Sequence, residues 1–273
     1  MDRRTFTQSA LSTLAATRVP SMLDKLGPIG IQLYTVRDLF RKDPEGTLAA
    51  LAQAGYAEVE FAGYSGLTAA ALKAMLQRSG LGAPSAHVDL DQLRSRWPAT
   101  LDFAESVGHQ HLVLAWLDQA DRRTVDDYRR VADQLNRAAA TAQPRGISVS
   151  YHNHDFEFVA IDGQTPYDVL LSATDPALVK LELDLYWITK GRADPLAYFA
   201  KWPGRFPLVH VKDMDSGPSE GMVDVGQGRI DFRRIFAQRT AAGIEHFFVE
   251  HDWPKDPMAF ARTSHRYLRH LEF

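Results

Sequence analysis

From residue 28 onward, the chain alternates short apolar runs with longer stretches of helical periodicity. The short runs are rich in β-branched and aromatic residues and about five residues long, which predicts strands. They fall at Ile29–Tyr34, Glu58–Ala62, Gly82–Val88, His111–Ala115, Ile147–His152, Val179–Asp184, Leu208–Lys212 and Phe247–Glu250. Helical patterns lie between them. Pro44–Ala54 places Leu48, Leu51 and Ala52 together, and Thr68–Ser79 carries Leu72, Met75 and Leu76 on one face. Thr124–Ala142 is long and amphipathic, and Asp256–Leu271 closes the chain. Gly55, Gly80, Gly146 and Gly243 each follow a helical stretch and precede a strand, the usual place of a helix C-cap.

Strands that alternate with helices predict a parallel sheet. Eight such units with no linker between them predict a closed α/β (β/α)8 TIM barrel as a single domain, residues 27–273. An open doubly wound sheet is the alternative. No GxGxxG follows the first strand, which weakens its dinucleotide-binding form.

The N-terminus is read separately. Residues 2–17 run DRRTFTQSALSTLAAT, with the pair Arg3-Arg4 ahead of a mildly apolar stretch. This resembles a twin-arginine export signal, so residues 1–26 are expected to be a leader or an arm outside the fold, and the protein to be periplasmic; a cytoplasmic protein is the alternative. The segment is too short to span a bilayer, and no stable membrane insertion is expected.

The 273 residues carry a formal charge of −3, which gives no general attraction to nucleic acid. There is no cysteine, so disulfides, zinc–thiolate sites and cysteine nucleophiles are excluded. Any metal site must use His, Asp and Glu.

A barrel of this kind places its chemistry at the C-terminal ends of its strands. Here those ends carry Gln32, Tyr34, Glu60, His87, Trp116, His152, His154, Asp184, His210, Lys212 and Glu250. Polar groups at the ends of apolar strands are costly unless they are paired or face water and ligands. Oxygen and imidazole donors from separate strands suit one divalent ion, Mn²⁺, Mg²⁺, Co²⁺ or Zn²⁺, in an open coordination. Strand alternation puts His210 and Lys212 on the same side. The stretch VSYHNHDFEF adds Glu157 just past the fifth strand.

The pattern resembles the xylose-isomerase-like TIM barrels of the sugar phosphate isomerase/epimerase superfamily. The similarity covers residues 28–271 and rests on IGIQLYTVRD, YAEVEFAGY, YHNHDFEF, LELDLYWITKG, HVKDMD, DVGQGRIDF and VEHDW. It implies one divalent metal held by Glu, Asp, His and Glu, of which Asp184, His210 and Glu250 match three. His152 stands where many members have the first glutamate. Either it replaces that carboxylate, or Glu157 swings back to bind.

The implied chemistry is proton abstraction beside a sugar carbonyl through an enediolate. Returning the proton gives an isomerase or epimerase, whereas expelling a neighbouring leaving group gives a lyase on an inosose or 3-keto-glycoside. Expected roles are Glu250, Glu157 or His154 for proton transfer and Lys212 at the enediolate oxygen. Glu60 and His87 are expected to bind hydroxyls, and Trp116, Trp187 and Trp253 to wall the sugar. Gly226-Gln227-Gly228 reads as a turn. The expected partner is a small carbohydrate without a phosphate cradle, and a homo-oligomer is admitted. A DNA-repair nuclease on the same barrel needs more metal ligands and a basic surface, and a sugar-binding barrel without turnover is the third class.

Overall fold

The computed structural model describes residues 24–273, and the Arg3-Arg4 segment lies outside them. Eight parallel strands close into a barrel. In chain order they are Ile29–Gln32, Glu58–Phe61, Gly82–Val88, His111–Leu114, Ser148–His152, Val179–Asp184, Leu208–Val211 and His246–Val249. The first pairs with both the second and the eighth, which completes the ring. Asp24 and Lys25, set apart from the fold by sequence, join its edge. The Asp24 N–H donates to the Phe273 carbonyl at 2.8 Å, and Lys25 pairs with Glu272 at 3.0 Å.

The predicted strands and helices all appear, with ends moved by local capping. The first strand stops at Gln32 because its side chain accepts from the Tyr34 N–H at 3.0 Å and starts a 3-10 turn over Leu33–Val36. The helix Val125–Ala142 opens with a reciprocal cap between Thr124 and Asp127 and buries Val125, Tyr128, Val131, Leu135 and Ala139, a stripe at helical spacing. Such stripes meet Leu112, Val149, Leu181 and Val209 on the outer face of the barrel in one continuous core.

The inside of the barrel is layered differently. Val113, Leu208 and Phe248 form a small apolar cluster of their own. A Cβ on Gly30 would lie 2.4 Å from the Phe248 ring, so only glycine leaves that ring its place. Two residues further along three of these strands, alternation returns to the interior, and the side chains become polar: Gln32 after Gly30, His210 after Leu208 and Glu250 after Phe248. All three are buried.

Candidate metal and active site

The site is built from the strand ends upward. Glu182 lies within the sixth strand, two residues before Asp184, and is fully buried. The His87 Nε2 lies 2.9 Å from its Oε2, the His210 Nε2 3.2 Å and the His152 Nδ1 3.5 Å. These four residues offer ligand atoms within 4.8 Å of one another, and so do Asp184, His210 and Glu250. His210 belongs to both groups. Its Nε2 faces Glu60 and Glu182, and its Nδ1 faces Glu250 and Asp184.

The second group tests whether these residues fit a metal ion. His210 Nδ1 and Glu250 Oε2 are 2.7 Å apart, yet neither has an aligned hydrogen-bond partner among the described residues, and the same holds for Asp184 Oδ2. Atoms that close without pointing at one another converge on a common third point, as ligands do. His152 brings Nε2 to 3.9 Å from Asp184 Oδ2 and is thus beside the same set.

Lys212 completes the cluster. It donates to Asp252 at 2.8 Å and stands 3.0 Å from Asp184 Oδ2 and 2.8 Å from Glu250 Oε2. Burial opposes its charge, but the Asp184, Glu250 and Asp252 carboxylates outweigh burial and hold its pKa well above the ordinary lysine value. Burial likewise opposes ionised Glu250, and Lys212 and His210 hold it below the usual carboxylate range. Burial pushes Asp184 up to about 6 against the pull of Lys212 and His210. His152 and His154 are lowered well below the ordinary imidazole value, by burial first, and stay neutral.

A cavity of about 650 Å³ opens over this cluster. His87, His152, His154, Lys212 and Glu250 line it, and Trp116, Trp187 and Trp253 form part of its wall. The His154 ring meets Trp116 edge-on at 4.6 Å and stacks on Phe156 at 5.4 Å, while its buried Nδ1 has no partner among the described residues.

Two expected site residues are elsewhere. Glu157 does not reach the cluster. A 3-10 turn over Phe156–Phe158 carries it away, and its carboxylate accepts from the Tyr151 hydroxyl at 2.5 Å and the His154 N–H at 2.8 Å. Its roles as fourth ligand and as base are therefore corrected: both oxygens are taken up beside Tyr151, a residue of the strand–helix core. Glu60 does not line the cavity. It is fully buried, accepting from the Gln32 amide at 2.8 Å and the Ser85 hydroxyl at 2.5 Å, and it supports His210 rather than facing the cavity where a substrate hydroxyl would lie. The Gly226-Gln227-Gly228 turn is clamped by Asp213, whose carboxylate accepts from the Gly226 and Gly228 N–H groups at 2.9 Å each.

Sequence reasoning missed Glu182 and Asp252. Both carried a signal: Glu182 lies two residues before Asp184 on one strand, and Asp252 two residues after Glu250, just past the end of its strand.

The chain is 27% identical over 171 residues to the inosose dehydratase of Lacticaseibacillus casei, covering 55% of this chain and 57% of the relative. It thus spans little more than half the length of the curated relatives it matches. A sugar phosphate isomerase/epimerase from Parabacteroides distasonis superposes with a TM-score of 0.78 at 26% identity, over 95% of this chain and 98% of that one. The IOLI protein, solved with a binding zinc atom, shares the fold at a TM-score of 0.70 and 13% identity, over 88% of this chain and 96% of that one. The family model for the xylose isomerase-like TIM barrel matches residues 48–271, and the chain belongs to that family.

Proposed function

We propose that this protein is a divalent-metal-dependent sugar isomerase or epimerase that removes the proton beside the carbonyl of a polyhydroxylated ketone. The observation that carries this reading is the convergence of Asp184, His210 and Glu250, with Lys212 against two of them, at the foot of a tryptophan-walled cavity. Asp184, His210 and Glu250 would hold the ion, with His152 as the fourth ligand. Two imidazoles and two carboxylates favour Zn²⁺, Co²⁺ or Mn²⁺ over Mg²⁺. The bound ion supplies positive charge beside the carbonyl oxygen.

The chain's own groups do the rest. Lys212 keeps its ammonium charged and faces the oxygen on which negative charge develops. Glu250, held ionised, and His154, held neutral, both line the cavity and are the groups that take and return the proton. The tryptophans give an apolar wall to a sugar face, and His87 is within reach of a hydroxyl. The Arg3-Arg4 segment supports export to the periplasm and hence an unphosphorylated substrate.

A second reading is a lyase. The curated relatives named inosose dehydratase favour it. The same enediolate would then push out a neighbouring hydroxyl, the C–O bond breaking as the proton that His154 took from carbon, or one from the Lys212 ammonium, turns the leaving group into water.

Proton exchange in D₂O followed by NMR tests both readings. Metal-loaded, tag-free protein is incubated with ketoses, inososes and 3-keto-glycosides. Metal-dependent exchange of the C–H beside the carbonyl is expected, and the product separates an isomer or epimer from a dehydrated compound. Absence of exchange together with absence of metal binding would overturn both readings in favour of a sugar-binding barrel.

A further inference from the structure

The opposite end of the barrel holds a second group of ligand-type side chains. His111 opens the fourth strand and His246 opens the eighth. In the ring of eight strands these two are diametrically opposed. Their rings nevertheless meet, with centroids 5.6 Å apart and planes at 71°. Glu245 precedes His246, and the three residues offer ligand atoms that lie within 4.8 Å of one another.

Two details set this group apart from a chance meeting of polar residues. The Nδ1 of His246 lies 2.8 Å from Glu58 Oε2, at the start of the second strand. A carboxylate on one imidazole nitrogen fixes the ring and leaves Nε2 for a metal, the usual support of a ligating histidine. His111 is only 8% exposed, and its Nδ1 has no hydrogen-bond partner among the described residues. The His246–Glu58 pair accounts for His246 alone and leaves the buried His111 nitrogen unsatisfied, a state folded proteins rarely tolerate.

The apolar cluster of Val113, Leu208 and Phe248 separates this group from the mouth, because His111 is two residues before Val113 and His246 two before Phe248. The proton-transfer groups are all on the far side of it.

We propose that His111, His246 and Glu245 form a second metal site, for a borderline transition-metal ion such as Zn²⁺, which ties opposite walls of the barrel together at its floor. Two imidazoles exclude a preference for Mg²⁺ or Ca²⁺. Three protein ligands leave one tetrahedral position for water, and the exposure of Glu245 leaves the site open to solvent.

The test uses the full, tag-free chain and Zn²⁺ alone. Equivalents bound are counted by equilibrium dialysis for the wild type, His111→Gln, His246→Gln and His210→Ala. Each floor variant is expected to lose one equivalent, and His210→Ala to keep the floor equivalent whatever happens at the mouth. Unchanged equivalents in both floor variants, with the wild-type circular dichroism spectrum, would overturn the proposal. A second measurement needs no variant: Zn²⁺ should slow diethyl pyrocarbonate modification of His246 several-fold, as located by mass spectrometry. Labelling at His246 that ignores saturating Zn²⁺ would also overturn it.

Discussion

Glu182 holds His210 from the side opposite Glu250: its Oε2 lies 3.2 Å from His210 Nε2, while Nδ1 of the same ring faces Glu250 at 2.7 Å. Burial alone would raise the Glu182 pKa, but the His210 and His87 imidazoles pull it below the usual carboxylate range. It is thus an ionised group that fixes two rings. Glu182→Gln keeps the volume and removes that charge. Metal affinity is expected to fall roughly 10–100-fold, as for other carboxylates that orient a ligating histidine. Competition titration with a chromophoric chelator reads this directly, and wild-type affinity in the variant would remove Glu182 from the metal's support.

Lys212 shares three carboxylates with the site. In Lys212→Met, turnover is expected to drop about 10²–10³-fold, the range for loss of one group that stabilises a developing oxyanion. Metal affinity is expected to hold or rise, because Asp184, Glu250 and Asp252 lose their competing cation. Parallel measurement of kcat and metal Kd checks the pair of outcomes. A variant that loses the metal along with the activity would give Lys212 a structural part instead.

Glu157 gives a pH dependence of stability that does not involve the cavity. Burial raises its pKa from 4.5 to about 7, against the Tyr151 hydroxyl and the His154 N–H, which favour the charged form. Between those values the folded chain keeps a proton that the unfolded chain releases. The contribution is therefore fully present below about 4.5 and is lost as pH rises through about 7. At about 1.4 kcal/mol per pKa unit, the swing is roughly 3 kcal/mol. Urea unfolding of wild type and Glu157→Gln from pH 5 to 8 should show the wild type losing ground to the variant across that range. Parallel curves would contradict it.

Gly30→Ala tests the inner packing. The added methyl would meet the Phe248 ring, which is clustered with Val113 and Leu208. Such overpacking costs about 1–3 kcal/mol. A urea midpoint equal to that of wild type would show that the ring has room to move.

The sequence made the strands legible because each apolar run needed only a parallel neighbour and a helix to cover it. Gly82–Val88 and Val179–Asp184 are found at their predicted bounds. Ligand types at strand ends were legible for the same reason: position on a strand decides which way a side chain faces. Glu182 escaped because LELD reads as an apolar strand ending in one acid, although alternation from Asp184 already puts Glu182 on the same inward face. Glu157 and Glu60 misled in opposite ways. One is turned off the strand line by three residues of 3-10 helix, and the other is too deep for a ligand to reach. Neither displacement leaves a trace in spacing or composition.

The single apolar layer of Val113, Leu208 and Phe248 bears on how such a chain can change over generations. Most of the buried apolar side chains lie instead in the larger core between strands and helices. Inward-facing positions above and below that layer stand apart from that core, so a coordinated replacement of paired groups there leaves the outer wall standing, whereas removal of one partner strands a buried charge. A lineage built this way can revise its reagents while its frame stays constant.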